Sequence, residues 1–79
     1  MKLTYDPRYN IAYIKLAEKT AEVESLHISD ELVVDISPDG TVYGFELLNA
    51  NRQLFGDDNG KLTVINEVDG KVGELILTV

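Results

Sequence analysis

The amino-acid sequence predicts a mostly β (α+β) fold: an antiparallel sheet of short hairpins with one short helix after the fifth strand. Three observations carry this. Runs of β-forming residues (Ile11-Ala12-Tyr13-Ile14-Lys15-Leu16 is the clearest) alternate with turn chemistry such as Ser37-Pro38-Asp39-Gly40 and Asp69-Gly70. The apolar positions of the central segments repeat with the period of two that a pleated strand requires. One stretch only, Ala50 to Phe55, carries helix signals, with Asn49 ahead of it as N-cap and Gly56 behind it at the C′ position.

Taken in order, Lys2 to Tyr5 reads as the first strand. Asp6 to Asn10 reads as a turn in which Pro7 breaks regular pairing. Ile11 to Leu16 is the second strand, apolar on both faces: Ala12, Ile14 and Leu16 on one, Ile11 and Tyr13 on the other. A polar connector, 17–20, leads to an edge strand over Glu22 to Ile28. Ser29-Asp30 turns the chain into the fourth strand, Glu31 to Ile36. The fifth begins after Gly40 and ends at Leu48, and the helix follows. Asp57-Asp58-Asn59-Gly60 is a second strong turn, and the tail folds as a hairpin closed at Asp69-Gly70, the preferred pair of a type I′ turn. The whole chain, 1–79, is expected to be one domain: a strand meander over 1–50, a short helix over 49–56 and a C-terminal hairpin over 61–79.

Face matching predicts the register of the central hairpin. A four-residue loop, Ser37 to Gly40, pairs Ile36 with Thr41, Val34 with Tyr43 and Leu32 with Phe45, bringing the two apolar sets together. A three-residue loop moves the pairing by one and splits the faces. The four-residue register also sets Glu31 opposite Glu46, with Asp35 further along. In the tail, a two-residue turn pairs Val68 with Lys71, Val64 with Leu75 and Leu62 with Leu77. The other face then holds Thr63, Ile65, Val72 and Ile76.

Composition bounds function. Fourteen acidic and seven basic residues give a net charge of −7 and a pI near 4.4. Phosphate backbones repel such a surface, so no nucleic-acid partner is expected. No apolar run reaches the roughly 20 residues that span a bilayer, so no membrane partner is expected either. The start, MKLTYDPRYN, has no long apolar core of a signal peptide. With no cysteine, a cytoplasmic location is the expectation.

Three segments bear a family likeness: Leu3-Thr4-Tyr5-Asp6-Pro7, Ala12 to Leu16, and Val33 to Ala50. Together they resemble the family of small prokaryotic proteins called domain of unknown function 2283, over roughly residues 1–50. Tyr5-Asp6, Tyr13-Ile14 and Gly44-Phe45-Glu46 carry the likeness. Asn10 stands where many relatives carry an acid. The resemblance implies a fold and transfers no catalytic residue; some relatives look like partner proteins of toxin–antitoxin type.

Motifs with chemistry are few. His27 is the single histidine, whereas metal sites and nucleophile–base pairs want more than one such group; nothing marks Ser25, its strand neighbour, as a nucleophile. Asp57 to Gly60 fails as a calcium loop, because Phe55 falls at the first ligand position and Asn66 at the last. Gly60-Lys61 fails as a phosphate loop, because Leu62 follows. The remaining carboxylates, Glu31, Asp35 and Glu46, are the candidates for holding a cation or a partner's basic side chain, with Glu46 the best single residue. Gly44, odd in mid-strand, is expected to make room for a neighbouring ring such as Tyr13. No catalytic residue and no cofactor are expected. The function expected is a non-enzymatic interaction module, a homo-oligomer or the binder of a basic protein, with Ile65, Val72, Ile76, Ile11 and Tyr13 as interface residues. Its alternatives are an antitoxin-like neutraliser of a basic toxin and a small carboxylate-based metal enzyme.

Overall fold

Five strands, in the chain order β1 (Lys2–Asp6), β2 (Ile11–Lys15), β3 (Glu24–Ser29), β4 (Leu32–Ile36) and β5 (Val42–Leu48), form one antiparallel sheet with spatial order β1-β2-β5-β4-β3. The computed structural model describes residues 1–19 and 22–78. Thr20 of the expected connector and Val79 of the expected hairpin lie outside them. Short turns join β1 to β2, β3 to β4 and β4 to β5, so these pairs close locally. The connection from β2 to β3 instead passes two strands, which makes a Greek-key order. As expected, the third strand lies at an edge.

Alternation places paired residues on a common face. Leu3, Ile14, Phe45, Val34 and Leu26 are successive partners and form one apolar row across all five strands. On the reverse face, Lys15, Gly44, Asp35 and Ser25 form a row, and Thr4, Tyr13, Glu46, Val33 and His27 form the next.

The central hairpin corrects the expected register. The Ser37 N–H donates to the Thr41 carbonyl at 2.9 Å, and the Gly40 N–H to the Ser37 carbonyl at 3.0 Å. The loop is therefore three residues long, closed by Gly40 at φ +93°. Ile36 pairs with Val42, then Asp35 with Gly44, leaving Tyr43 as the extra residue of a β-bulge. The short loop moves the pairing by one and the bulge by one more. The two steps restore the common face, with Val34 opposite Phe45 and Leu32 opposite Leu47. The same double step removes the expected Glu31–Glu46 pair: Glu46 faces Val33 and Tyr13.

Burial is divided between the two faces of the sheet. The most covered apolar residues are Ala12, Val33, Tyr43 and Ala50, and Asp35 and Ser37 are buried with them. Leu32, Val34 and Ile36 are only half-buried. Both faces of the sheet are thus partly covered, and among the described residues no large side chain is fully buried.

Helix α1 (Ala50–Phe55) has the expected bounds but not the expected caps. Asn49 is left-handed (φ 56°) and its side chain makes no cap hydrogen bond. The cap comes from the β1–β2 turn: Asn10, also at φ 56°, accepts the Ala50 N–H on its carbonyl at 3.0 Å and the Asn51 N–H on Oδ1 at 2.7 Å. Asn10 Nδ2 donates to Asn51 Oδ1 at 2.8 Å. Gly56 continues in right-handed geometry instead of taking the left-handed C′ conformation.

Strands β6 (Lys61–Ile65) and β7 (Val72–Ile76) pair only with each other. The turn is longer than the two residues expected: the Asn66 N–H donates to the Lys71 carbonyl, the Gly70 N–H to the Asn66 carbonyl, and Asn66 Oδ1 accepts the Val68 N–H at 2.9 Å. The Asn66 side chain organises a four-residue turn that a type I′ pair does not need. Pairing shifts by two, so Ile65 faces Val72 and Leu62 faces Leu75, and each residue keeps its expected face. The hairpin is rooted where Gly60 sits under the Phe55 ring, which itself stacks edge-on to Tyr5 at 5.7 Å. Beyond that root it stands out as an arm: every residue of both strands is exposed. The radius of gyration is 14.2 Å, against roughly 11.6 Å for a compact chain of this length.

Candidate functional site

Two places concentrate what the strands present: a polar cluster around Asp35 and the apolar arm.

The cluster is built by register. Asp35 on β4 lies between Gly44 on β5 and Ser25 on β3. Tyr13 stands on β2, one strand beyond Gly44, and its ring crosses β5 to reach β4. The Tyr13 hydroxyl donates to Asp35 Oδ2 at 2.7 Å, and Ser25 Oγ donates to Oδ1 at 2.7 Å. A Cβ on Gly44 would lie 2.7 Å from the Tyr13 hydroxyl and 2.5 Å from the Ile14 carbonyl oxygen. Only glycine leaves that path open, as expected from the sequence. Lys19, on the β2–β3 connection, lies 5.1 Å over the Tyr13 ring and pairs with Asp35 at 3.0 Å.

Electrostatics follow from this packing. Burial pushes the Asp35 carboxyl up, but the Ser25 and Tyr13 hydroxyls and the Lys19 ammonium outweigh it, so its pKa is lowered. Burial first, and then the bond to the Asp35 carboxylate, raises the Tyr13 phenol. The bond to Asp35 raises Lys19. Each partner stabilises the charge state of the others at neutral pH, and both carboxylate oxygens are engaged. Next to the cluster, Asp39 in the hairpin loop accepts from Ser37 and from the Thr41 N–H, and is lowered to about 2.

The three candidate carboxylates do not converge. Glu31 pairs with Arg52 of α1. Asp35 belongs to the cluster, and Glu46 lies between Tyr13 and Val33. Among the described residues, no group of three or more His, Cys, Asp or Glu side chains is placed to hold a metal ion. His27 is exposed on the edge strand opposite Val33. Asp57 to Gly60 is a turn, with the Lys61 N–H donating to the Asp58 carbonyl at 3.1 Å. Sequence reasoning missed Lys19 and Ser25 as partners of Asp35, and Asn10 as a helix cap. For Ser25 the available signal was a polar residue on an edge strand, which names no partner until the register is known.

The expected interface residues divide. Ile65, Val72 and Ile76 share one face of the arm and are 59%, 58% and 60% exposed. On the arm's other face, Leu62 and Leu75 help to line an open cleft of about 310 Å³ with Leu3, Ile14, Leu54 and Leu77. Ile11 and Tyr13 lie in the five-stranded sheet, half-buried, with the Tyr13 hydroxyl committed to Asp35.

Fold and surfaces together define a small antiparallel β protein, a Greek-key sheet with a self-satisfied polar cluster and an appended apolar hairpin. The chain belongs to the family described as protein of unknown function (DUF2283), whose profile matches residues 2–51. The match covers the whole five-stranded sheet and ends within the first turn of α1, so the arm lies outside it. No curated protein and no solved structure matches the chain. No helix among the described residues is long and apolar enough to cross a membrane.

Proposed function

We propose that this protein is a non-enzymatic protein-interaction module and that the arm is its contact surface. The observation that carries this is the exposure of both faces of a two-stranded hairpin. Six large apolar residues on β6 and β7, Leu62, Val64, Ile65, Val72, Leu75 and Ile76, are 44% to 61% exposed. Isolated two-stranded hairpins are marginal in water, and contiguous apolar surface of this kind marks interaction sites. The absence of cysteine fits action in a reducing compartment such as the cytoplasm.

A finer variant is a neutraliser of a basic protein, of the antitoxin type. Residues 1–60 hold eleven of the fourteen acids and five of the seven bases, a net charge of −6. Such a field speeds encounter with a basic partner. A carboxylate-based metal enzyme is not proposed, because Glu31, Asp35 and Glu46 stand apart and Glu31 is held by Arg52.

Light scattering from the full chain at low micromolar concentration, alone and with any basic protein that co-purifies from the host, tests this reading. The expected result is a complex that Ile76→Lys or Ile65→Lys weakens while the sheet's spectrum is unchanged. A monomer at every concentration, with no partner whose binding depends on the arm, discards it.

A further inference from the structure

We infer that the occupant of the arm's outer face is a second copy of this chain, docked arm to arm about a two-fold axis; this rests on the reading of the arm as a contact surface. The outer face presents Lys61, Thr63 and Ile65 on β6 and Val72, Glu74 and Ile76 on β7. Its one base and one acid leave it neutral, and they already pair within the arm, Lys61 Nζ to Glu74 Oε1 at 3.1 Å.

Charge selects the partner. Residues 1–60 carry −6 and residues 61–79 only −1. Two copies approaching by their acidic sheets bring like charge together, whereas the arm's outer face offers none in excess. A patch with apolar side chains beside one cation and one anion is also self-complementary. A two-fold axis sets Lys61 of each copy within reach of the other's Glu74, and both contacts form at once. A strongly basic partner has no reason to choose this face over the acidic sheet.

Size sets the strength. The three apolar side chains of the outer face, each about 60% exposed, fall well short of the roughly 800 Å² per partner of a standard stable interface. The dimer is therefore weak and concentration-dependent. The inner face, with Leu62 and Leu75 turned toward the chain's own cleft, takes no part in the contact.

The test is sedimentation equilibrium on the full chain and four variants, with two-dimensional NMR of the sheet amides as the fold control. Expected are reversible self-association of the natural chain, at least a tenfold weakening by Ile65→Lys, and a smaller weakening by Lys61→Glu or Glu74→Lys alone. Mixing Lys61→Glu with Glu74→Lys restores association between the two variants. Self-association that resists Ile65→Lys but yields to Val64→Lys overturns the outer-face assignment and keeps the arm as a contact surface through its inner face or edges. A natural chain that stays monomeric up to hundreds of micromolar overturns self-docking altogether, and leaves the broader reading to an arm-dependent basic partner.

Discussion

The Asp35 cluster and the arm are the two most distinctive surfaces of this molecule, and they are opposites. In the cluster, polar groups brought from four segments satisfy one another: the carboxylate accepts two hydroxyls and a lysine, and glycine clears the path for one of them. Among the described residues, no buried side-chain nitrogen or oxygen lacks a hydrogen-bond partner. In the arm, apolar groups from two strands stay 44% to 61% exposed. The cluster lies within the family match and the arm outside it. The lesson is that the shared part of this fold closes on itself, whereas the appended part stays open to solvent.

Substitutions should therefore cost stability in the cluster and association in the arm. The largest stability loss is expected for Asp35→Asn, about 2–3 kcal/mol. The change strips a buried charged acceptor from three donors, and thermal or urea unfolding reads it. Gly44→Ala should cost about 1–3 kcal/mol by forcing the Tyr13 ring and the neighbouring backbone apart. Combined with Asp35→Asn, its cost should be less than additive, because both break the same hydrogen bond. Tyr13→Phe keeps the ring over Gly44 and should cost about 1 kcal/mol. Asn10→Ala should cost a similar amount, about 1 kcal/mol, through the lost helix cap, with the loss confined to the α1 amides in hydrogen exchange. Ile65→Lys should change the unfolding free energy of the dilute protein by no more than about 0.5 kcal/mol, as for an exposed site.

The cluster also sets a pH dependence. The folded pKa of Asp35 lies below its ordinary 3.8, so the folded state binds this proton less readily than the unfolded chain does. Its contribution is complete above about pH 5 and fades as the pH falls through the lowered value. Unfolding at a series of pH values should show natural chain and Asp35→Asn converging in acid. Curves that stay parallel would mean that the carboxylate's charge is not what the cluster uses.

Period-two alternation made the faces legible. Loop lengths were not legible, for a definite physical reason. A short loop followed by a bulge at Tyr43 shifts the register by two, and beyond the bulge a shift by two leaves every side chain on its expected face. Periodicity is blind to it, yet it moves Glu46 from Glu31 to Val33. The Asn66 turn hides a second such shift in the arm. Gly44 was legible because a mid-strand glycine already asks for a close neighbour, and Tyr13 was the available ring. Lys19 was not, because its place depends on the course of a crossover that no local pattern encodes. The same holds for Asn10, whose partner Asn51 lies 41 residues away.

Hydrogen exchange followed across a range of protein concentrations tests most directly whether the arm is completed by association. The account predicts that amides of β6 and β7 exchange fast in dilute solution and gain protection as concentration rises, while those of β2, β4 and β5 stay equally protected throughout. Arm amides that exchange at one rate from the most dilute to the most concentrated sample, with the chain at its 8.8 kDa monomer mass and no basic protein altering them, would contradict it.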